Sequence, residues 1–234
     1  MAPLNKLLAM VPREELESIS PDLEPVDLPA KLVLHEPLEQ ITHVYFVNGG
    51  VASLVNEPDN GDIVEMATIG SEGMVGFPIL LRTDSIPSRC LVQIPGDGLR
   101  MKTADFERAL PRVPQLHELL LRYTMALINQ IAQTTACNRL HEVQERCARW
   151  LLQTHDRIEG DSFSLTQEFL SQMLGVHRPT VSVAAAMLQT AGLIRYTRGQ
   201  ITIADRPGLE AASCSCYRNI ADEYERLLNG APGH

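Results

Sequence analysis

Three things are scarce in this chain of 234 residues: aromatic side chains, at 5%; long apolar runs; and lysine, none of which follows Lys102. With so few rings the core has to rest on Leu, Ile, Val, Ala and Met. The longest apolar stretches are interrupted by Arg82, Arg122 or Asn129, so none offers the ~18–20 uncharged residues of a membrane span. The opening Met-Ala-Pro-Leu-Asn-Lys lacks a basic region followed by an apolar core, which predicts no secretory signal and a soluble, cytoplasmic protein without a membrane partner. Cysteine is sparse and odd in number: Cys90, Cys137, Cys147, Cys214 and Cys216. That is no disulfide framework, and buried thiols in a reducing compartment are expected. Only Cys214 and Cys216 are close in sequence. A closed metal site usually takes four ligands, and the sequence does not show two more, so no metal and no cofactor is expected.

The formal net charge of −9 argues against nucleic acid only until the chain is divided. Residues 1–110 carry 8 Lys and Arg against 17 Asp and Glu, whereas residues 111–234 carry 12 Arg against 12 acids. Between Ser164 and Ile203 the charged side chains are Glu168, Arg178, Arg195 and Arg198, a local balance of +2. The field at the contact matters more than the total, so a small basic face on an acidic protein is compatible with DNA.

Arg13–Ile19 reads as a short amphipathic helix entered through Pro12. From Val26 to about Met101 the texture changes to short apolar runs: Lys31–Leu34, His43–Val47, Val51–Val55, Ile63–Ile69 and Arg89–Ile94. Turn-forming clusters separate them, namely Asn48-Gly49-Gly50, Pro58-Asp59-Asn60-Gly61, Gly70-Ser71-Glu72-Gly73 and Pro95-Gly96-Asp97-Gly98. Asn60-Gly61 is a hairpin signal, because both residues tolerate the positive φ that such turns need. Short strands about ten residues apart predict an antiparallel barrel or jelly roll. Asp105–Leu110 reads as a turn or two of helix stopped by Pro111.

From Pro114 to Cys137 a long helix is predicted. On it Leu116, Leu120, Tyr123, Leu127, Gln130 and Thr134 recur at coiled-coil spacing, which predicts a homodimer seam. Leu119, Leu121, Met125, Ile128 and Ile131 offer further apolar faces for the helix's own domain. Asn138 ends this helix or caps the next, Leu140–Arg157, whose inner face is Val143, Cys147, Trp150 and Leu151 with Thr154 or His155. The expected class is α+β. A jelly-roll-like antiparallel β-roll is expected over residues 1–112, a dimerisation helix over 113–138, and a winged helix-turn-helix over 139–234.

The chemistry is concentrated in Ser164–Ile203. Ser164 or Thr166 caps a short helix running to Leu174, Gly175 makes a tight turn, and a second helix begins near His177 with Pro179 in its first turn. Ser171, Leu170, Leu174, Val176, Val181 and Ala184 are small or apolar where two helices must cross closely. Leu193–Tyr196, a turn at Arg198-Gly199, and Gln200–Ile203 form a wing. With Val181 inward, Arg178 and Ser182 face outward beside Thr180, and Arg is the side chain that reads guanine bidentately. Thr166, Gln167, His177, Pro179, Arg195 and Arg198 complete the candidate DNA surface, with phosphate as the target of the wing arginines.

A turn-rich β-roll, a long helix and a C-terminal unit containing Gly-Val-His-Arg-Pro-Thr-Val-Ser and Ala-Gly-Leu-Ile resemble the CRP/FNR family of bacterial transcription regulators. The resemblance implies a homodimer on a double-stranded operator, with RNA polymerase as a further partner. It implies a guanine contact from Arg178 and a phosphate contact from Thr180. Pro179 and Val183 stand where hydrogen-bonding side chains are common in the family, so a different operator is expected. The effector pocket implied by the resemblance falls on Gly70, Glu72, Gly76, Phe77, Ser88, Arg89 and Cys90. Phe77 replaces the carboxylate that would accept a ribose hydroxyl, a loss of about 1–3 kcal/mol, so cyclic AMP is not expected to bind in the usual way. The effector stays unknown, and a regulator dependent on a cyclic nucleotide or another small ligand is the alternative. No N-terminal cysteine set for an iron–sulfur cluster is present, and His35, His43 and His117 are expected to be satisfied or exposed histidines, with haem ligation as the alternative. A jelly roll also serves metal-dependent cupin enzymes, but these need two histidines one residue apart, and His35 and His43 are eight apart. Catalysis is not expected.

Overall fold

The computed structural model describes residues 5–57 and 63–229. The chain opens with α1 (Lys6–Ala9) and α2 (Arg13–Ile19). Asn5 is fully buried: its side chain accepts from Leu7 N and Leu8 N and donates to Val47 O and Gly73 O, pinning the first turn to the sheet. Six antiparallel strands follow: β1 (Glu24–Leu28), β2 (Val33–His35), β3 (His43–Asn56), β4 (Val64–Ile69), β5 (Met74–Val75) and β6 (Arg89–Lys102). The main order is β1-β6-β3-β4, with β2 also on β6 and β5 on β3.

Two of the expected breaks are not breaks. Asn48-Gly49-Gly50 and Pro95-Gly96-Asp97-Gly98 lie inside β3 and β6, which run through as two long paired strands with bulges where these segments face each other. The glycines are there for proximity: a Cβ on Gly96 would fall 1.9 Å from Gly49 O, and Gly50 has φ +84°. Turn chemistry in the sequence thus marks a bend in a ribbon instead of its end. The predicted hairpin at Asn60-Gly61 lies outside the described residues.

After α3 (Thr103–Ala109) the chain enters α4 (Pro114–Leu140), 27 residues long. The next helix, α5 (Val143–His155), starts later than expected. Glu142 makes a reciprocal capping box with Glu145, and His141, in extended conformation, breaks α4 from α5. Then come β7 (Ser162–Ser164), α6 (Gln167–Leu174), α7 (Arg178–Thr190), the wing β8 (Ile194–Thr197) and β9 (Gln200–Ile203), α8 (Arg206–Ala212) and α9 (Cys216–Asn229). β7 and β8 flank β9 in a three-stranded sheet.

The core divides unexpectedly. One cluster fills the roll around Phe46, Met74 and Phe106, and includes Leu116, Leu120, Tyr123 and Leu127 of α4. Ile220, Tyr224 and Leu228 of α9 join it, so the last helix returns to the first half of the chain. The second cluster joins Val51, Val55 and Ile94 of the roll to Trp150, Leu151, Leu170 and Leu174 of the C-terminal unit. A polar seam crosses the same junction: Trp150 Nε1 donates to Glu65 Oε1 at 2.9 Å, and Ser53 Oγ donates to Glu65 Oε2 at 2.6 Å. Arg206 secures the far side, bridging Asp156, Glu210 and the Tyr217 hydroxyl.

Candidate nucleic-acid interface

α6 and α7 form a helix pair held by sequence-local devices. Thr166, not Ser164, is the N-cap of α6, and its hydroxyl accepts from Phe169 N at 3.1 Å. Gly175 sits at φ +60° and its N–H closes on Gln172 O, the left-handed stop that only glycine adopts without strain. His177 caps α7, whose first turn contains Pro179. Val181, Ala184, Ala185 and Leu188 are buried beneath α7. The remaining face is open: Arg178, Pro179, Thr180, Val183, Ala186 and Met187 are exposed, with Val183 61% and Met187 50% exposed.

Arg178 sits at the end of α7 where backbone N–H groups are unsatisfied, and no ion pair engages it among the described residues. Ser182 Oγ donates to Gln167 Oε1 at 2.7 Å, so these two expected DNA contacts hold α6 and α7 together. The wing turns at Arg198-Gly199 with φ +50° and +78°, the paired positive φ of a tight two-residue hairpin, which projects Arg198 outward. Arg195 is exposed on β8. Tyr196 locks the wing to the pair, its hydroxyl donating to Leu165 O at 3.0 Å and its N–H to Gln189 Oε1 at 2.8 Å. Thr166, His177, Arg178, Pro179, Thr180, Arg195 and Arg198 are all exposed.

The effector candidates fare differently. Arg89 is engaged by Glu36 at 2.6 Å and Glu57 at 3.0 Å. Glu72 pairs with the largely buried Arg157 at 2.8 Å. Gly70 packs on the Arg157 side chain, Cys90 is fully buried in the roll core, and Ser88 is buried. Gly76, at φ +98°, opens the one-and-a-half turns of 3₁₀ helix that begin at Phe77, whose ring packs on the core. A cleft of about 300 Å³ opens outside the roll, between α1, α5 and α9, with Lys6, Glu72, Asp156, Arg157, Tyr217 and Tyr224 on its walls. His35 and His43 pair with Cys90 and Lys102, near opposite ends of β6, so they do not converge on a metal or a haem.

The expected dimer seam needs correction. Leu116, Leu120, Tyr123, Leu127, Gln130 and Thr134 are all buried within the chain. Tyr123 donates to Met74 O at 3.1 Å; Gln130 Nε2 donates to Thr68 Oγ1, and Gln130 Oε1 accepts from Tyr224 at 2.8 Å. A second stripe of the same spacing, displaced along the helix, lies on the outside: Leu121, Met125 and Ile128 are 43–45% exposed, and Ala132 and Thr135 continue it. Heptad spacing alone could not distinguish the two registers, because both faces of α4 carry it.

Cys214 and Cys216 acquire the neighbours that the sequence did not reveal. The structure brings Cys137 and His141 to them. Cys137 Sγ lies 3.4 Å from Cys214 Sγ, and Cys216 Sγ lies 3.4 Å from His141 Nδ1. The signal was present as Cys-x-x-x-His at the end of a helix, which places both side chains on one face.

Residues 145–212 match the family model of the Crp-like helix-turn-helix domain. Over 204 residues the chain is 26% identical to the CRP-like cAMP-activated global transcriptional regulator of Mycobacterium tuberculosis, covering 81% of this chain and 88% of that one. In three dimensions it is similar to FixK2 from Bradyrhizobium japonicum, with a TM-score of 0.69 and 19% identity over 82% of this chain and 98% of that one. A CRP-family transcriptional regulator from Thermus thermophilus gives a TM-score of 0.65 and 18% identity over 80% and 96% of the two chains.

Proposed function

We propose that this chain, a member of the CRP/FNR family and a DNA-binding transcription regulator, reads its operator as a homodimer with α7 in the major groove and needs no cyclic AMP to do so. The observation that carries the reading is the exposed face of α7, with Arg178 at its helix start and the wing arginines beside it. Arg178 reads a guanine, Thr180 and His177 lie against phosphate, and Thr166 at the start of α6 contacts the same strand. Val183 and Met187 present apolar surface to the base edges, which suits thymine methyl groups. The two copies meet along Leu121, Met125, Ile128, Ala132 and Thr135, so the two half-sites lie about one helical turn apart.

Ligand independence rests on the roll. Phe77 offers no acceptor, Arg89 is already held by two glutamates, and Glu72 by Arg157. Freeing Arg89 for a phosphate would strand those acids. Such a protein is at work in the cytoplasm, where its operator is. Selection from random duplexes with ligand-free protein tests the whole reading: enrichment of a two-fold symmetric site is expected, and binding without sequence preference overturns it. Calorimetry with cyclic AMP separates the alternative, since heat of binding in the roll would make the chain a ligand-dependent regulator.

A further inference from the structure

The geometry points to a mononuclear zinc-class metal site formed by Cys137, His141, Cys214 and Cys216, which clasps the α4–α5 junction to the α8–α9 junction. The four ligand atoms, three Sγ and one imidazole nitrogen, all lie within 4.8 Å of one another, and two of the pairs, Cys137–Cys214 and Cys216–His141, are 3.4 Å apart. Tetrahedral zinc with Zn–S near 2.3 Å and Zn–N near 2.0–2.1 Å sets neighbouring ligand atoms roughly 3.5–3.8 Å apart, so small adjustments close the site. An iron–sulfur cluster spreads its thiolates over several irons and would need the sulfurs farther apart.

The sequence logic is that of two short ligand pairs. Cys137 and His141 stand one helical turn apart at the end of α4, and Cys214 and Cys216 are separated by one residue at the start of α9. The three cysteines form a small buried cluster of their own, distinct from both hydrophobic cores. Gln133 Nε2 donates to Cys216 Sγ at 3.0 Å, the outer hydrogen bond that a metal thiolate takes up.

An independent observation concerns charge. Arg146 and Arg149 on α5 are 6% and 3% exposed, yet Nε of each has no hydrogen-bond partner, and neither has a carboxylate partner among the described residues. Both guanidinium charges act on Cys137, and that of Arg149 also reaches the Glu65 carboxyl, which forms no ion pair with it. Buried cations without an anion are costly. Three thiolates, a neutral imidazole and a divalent ion carry a net charge of −1, which gives these arginines a counter-charge. On binding, the thiols release their protons to solvent and the sulfurs donate electron pairs to the metal, with no change of oxidation state.

The site stands independently of the DNA reading. Because His141 is the residue that breaks α4 from α5, a metal held there fixes the angle at which the C-terminal unit leaves the long helix.

The experiment uses the full chain, purified reduced and without oxygen. One equivalent of zinc per chain is expected, and cobalt(II) in its place gives thiolate charge-transfer bands and the intense d–d bands of a tetrahedral ion. His141→Gln and Cys216→Ser should each lose stoichiometric metal, Gln133→Leu should weaken affinity about 10–100-fold, and Cys90→Ala should keep full metal. The wild-type cobalt spectrum stands even if a ligand variant fails to fold. Reduced wild-type protein that takes up neither ion overturns the site, as does full occupancy in Cys216→Ser. An iron–sulfur chromophore in the isolated protein would overturn the mononuclear assignment.

Discussion

Arg178 and Arg89 illustrate two regions of one chain with opposite fates. Both are arginines at positions where the family resemblance implies an anion. Arg178 is exposed at the start of α7, with no carboxylate against it among the described residues; Arg89 is clasped between Glu36 and Glu57. The same split separates the two faces of α4, one filled by the roll and one open. A residue type at the right spacing therefore names a candidate, and what its own chain already offers it decides whether it can act on anything else. Pairing within the chain occupies Arg89 and Glu72 in the roll, while Arg178 in the head has no ion-pair partner among the described residues.

The sharpest way to break that comparison is to charge each face of α4. Met125→Glu combined with Ile128→Glu should leave a folded monomer that has lost tight operator binding, by about 100-fold or more, because each half-site then binds alone. Leu120→Asp combined with Leu127→Asp should unfold the chain, since each large-to-polar change in a filled core costs about 3 kcal/mol or more. Sedimentation and melting distinguish the outcomes, and a stable monomer from the Leu120/Leu127 pair would reverse the assignment of the two faces.

The next effect lies in the junction between roll and head. Burial pushes Glu65 up from its ordinary 4.5 to about 7, against the hydrogen bond from Ser53 and the charge of Arg149. In the folded chain Glu65 keeps a proton that the unfolded chain has lost between these two values. Stability is therefore highest below about pH 4.5 as far as this group is concerned, falls as the pH rises towards 7, and is flat above, a change of about 3 kcal/mol. Glu65→Gln should remove that slope. Melting wild type and variant at about pH 5 and about pH 8 checks it, and parallel curves would mean that the carboxyl is not enclosed.

The head was legible in the sequence because its devices are local: Gly175 at the turn, Pro179 in the first turn of α7, Arg198-Gly199 in the wing. Each acts within four residues, and the structure reproduces each. The roll was less legible because its glycines serve contacts between strands. Gly49 and Gly96 read as turns from either strand alone and as a bend only when paired. The α4 register was hidden for a related reason: α9, far along the chain, buries part of the helix through Tyr224 and Ile220. Cys137 and Cys214 likewise meet only because that last helix returns.

Arg178→Ala sharpens the comparison from the open side. Losing a bidentate guanine contact costs about 1–3 kcal/mol per half-site and relaxes preference at one base pair, with melting unchanged because nothing inside the chain depends on it. Arg89→Ala should do the reverse, leaving operator affinity alone while stranding Glu36 and Glu57. Competition with operators altered at single positions measures both, and unchanged specificity in Arg178→Ala would displace α7 from the groove.

The smallest effect should come from Arg198. It sits at the tip of the wing, exposed, on a turn whose backbone geometry does not depend on its side chain reaching any partner. A phosphate contact carries no base information, so Arg198→Ala should weaken all duplexes alike, by about 1 kcal/mol or less, and leave the selected sequence untouched. Its signature is in salt: each phosphate contact removed reduces the slope of log affinity against log salt by about 0.9. A dimer loses two such contacts. Affinity measured across a salt series is therefore the decisive readout, because the same loss at one salt concentration could equally come from a displaced wing. A slope identical to wild type would show that Arg198 stays in water when the head docks.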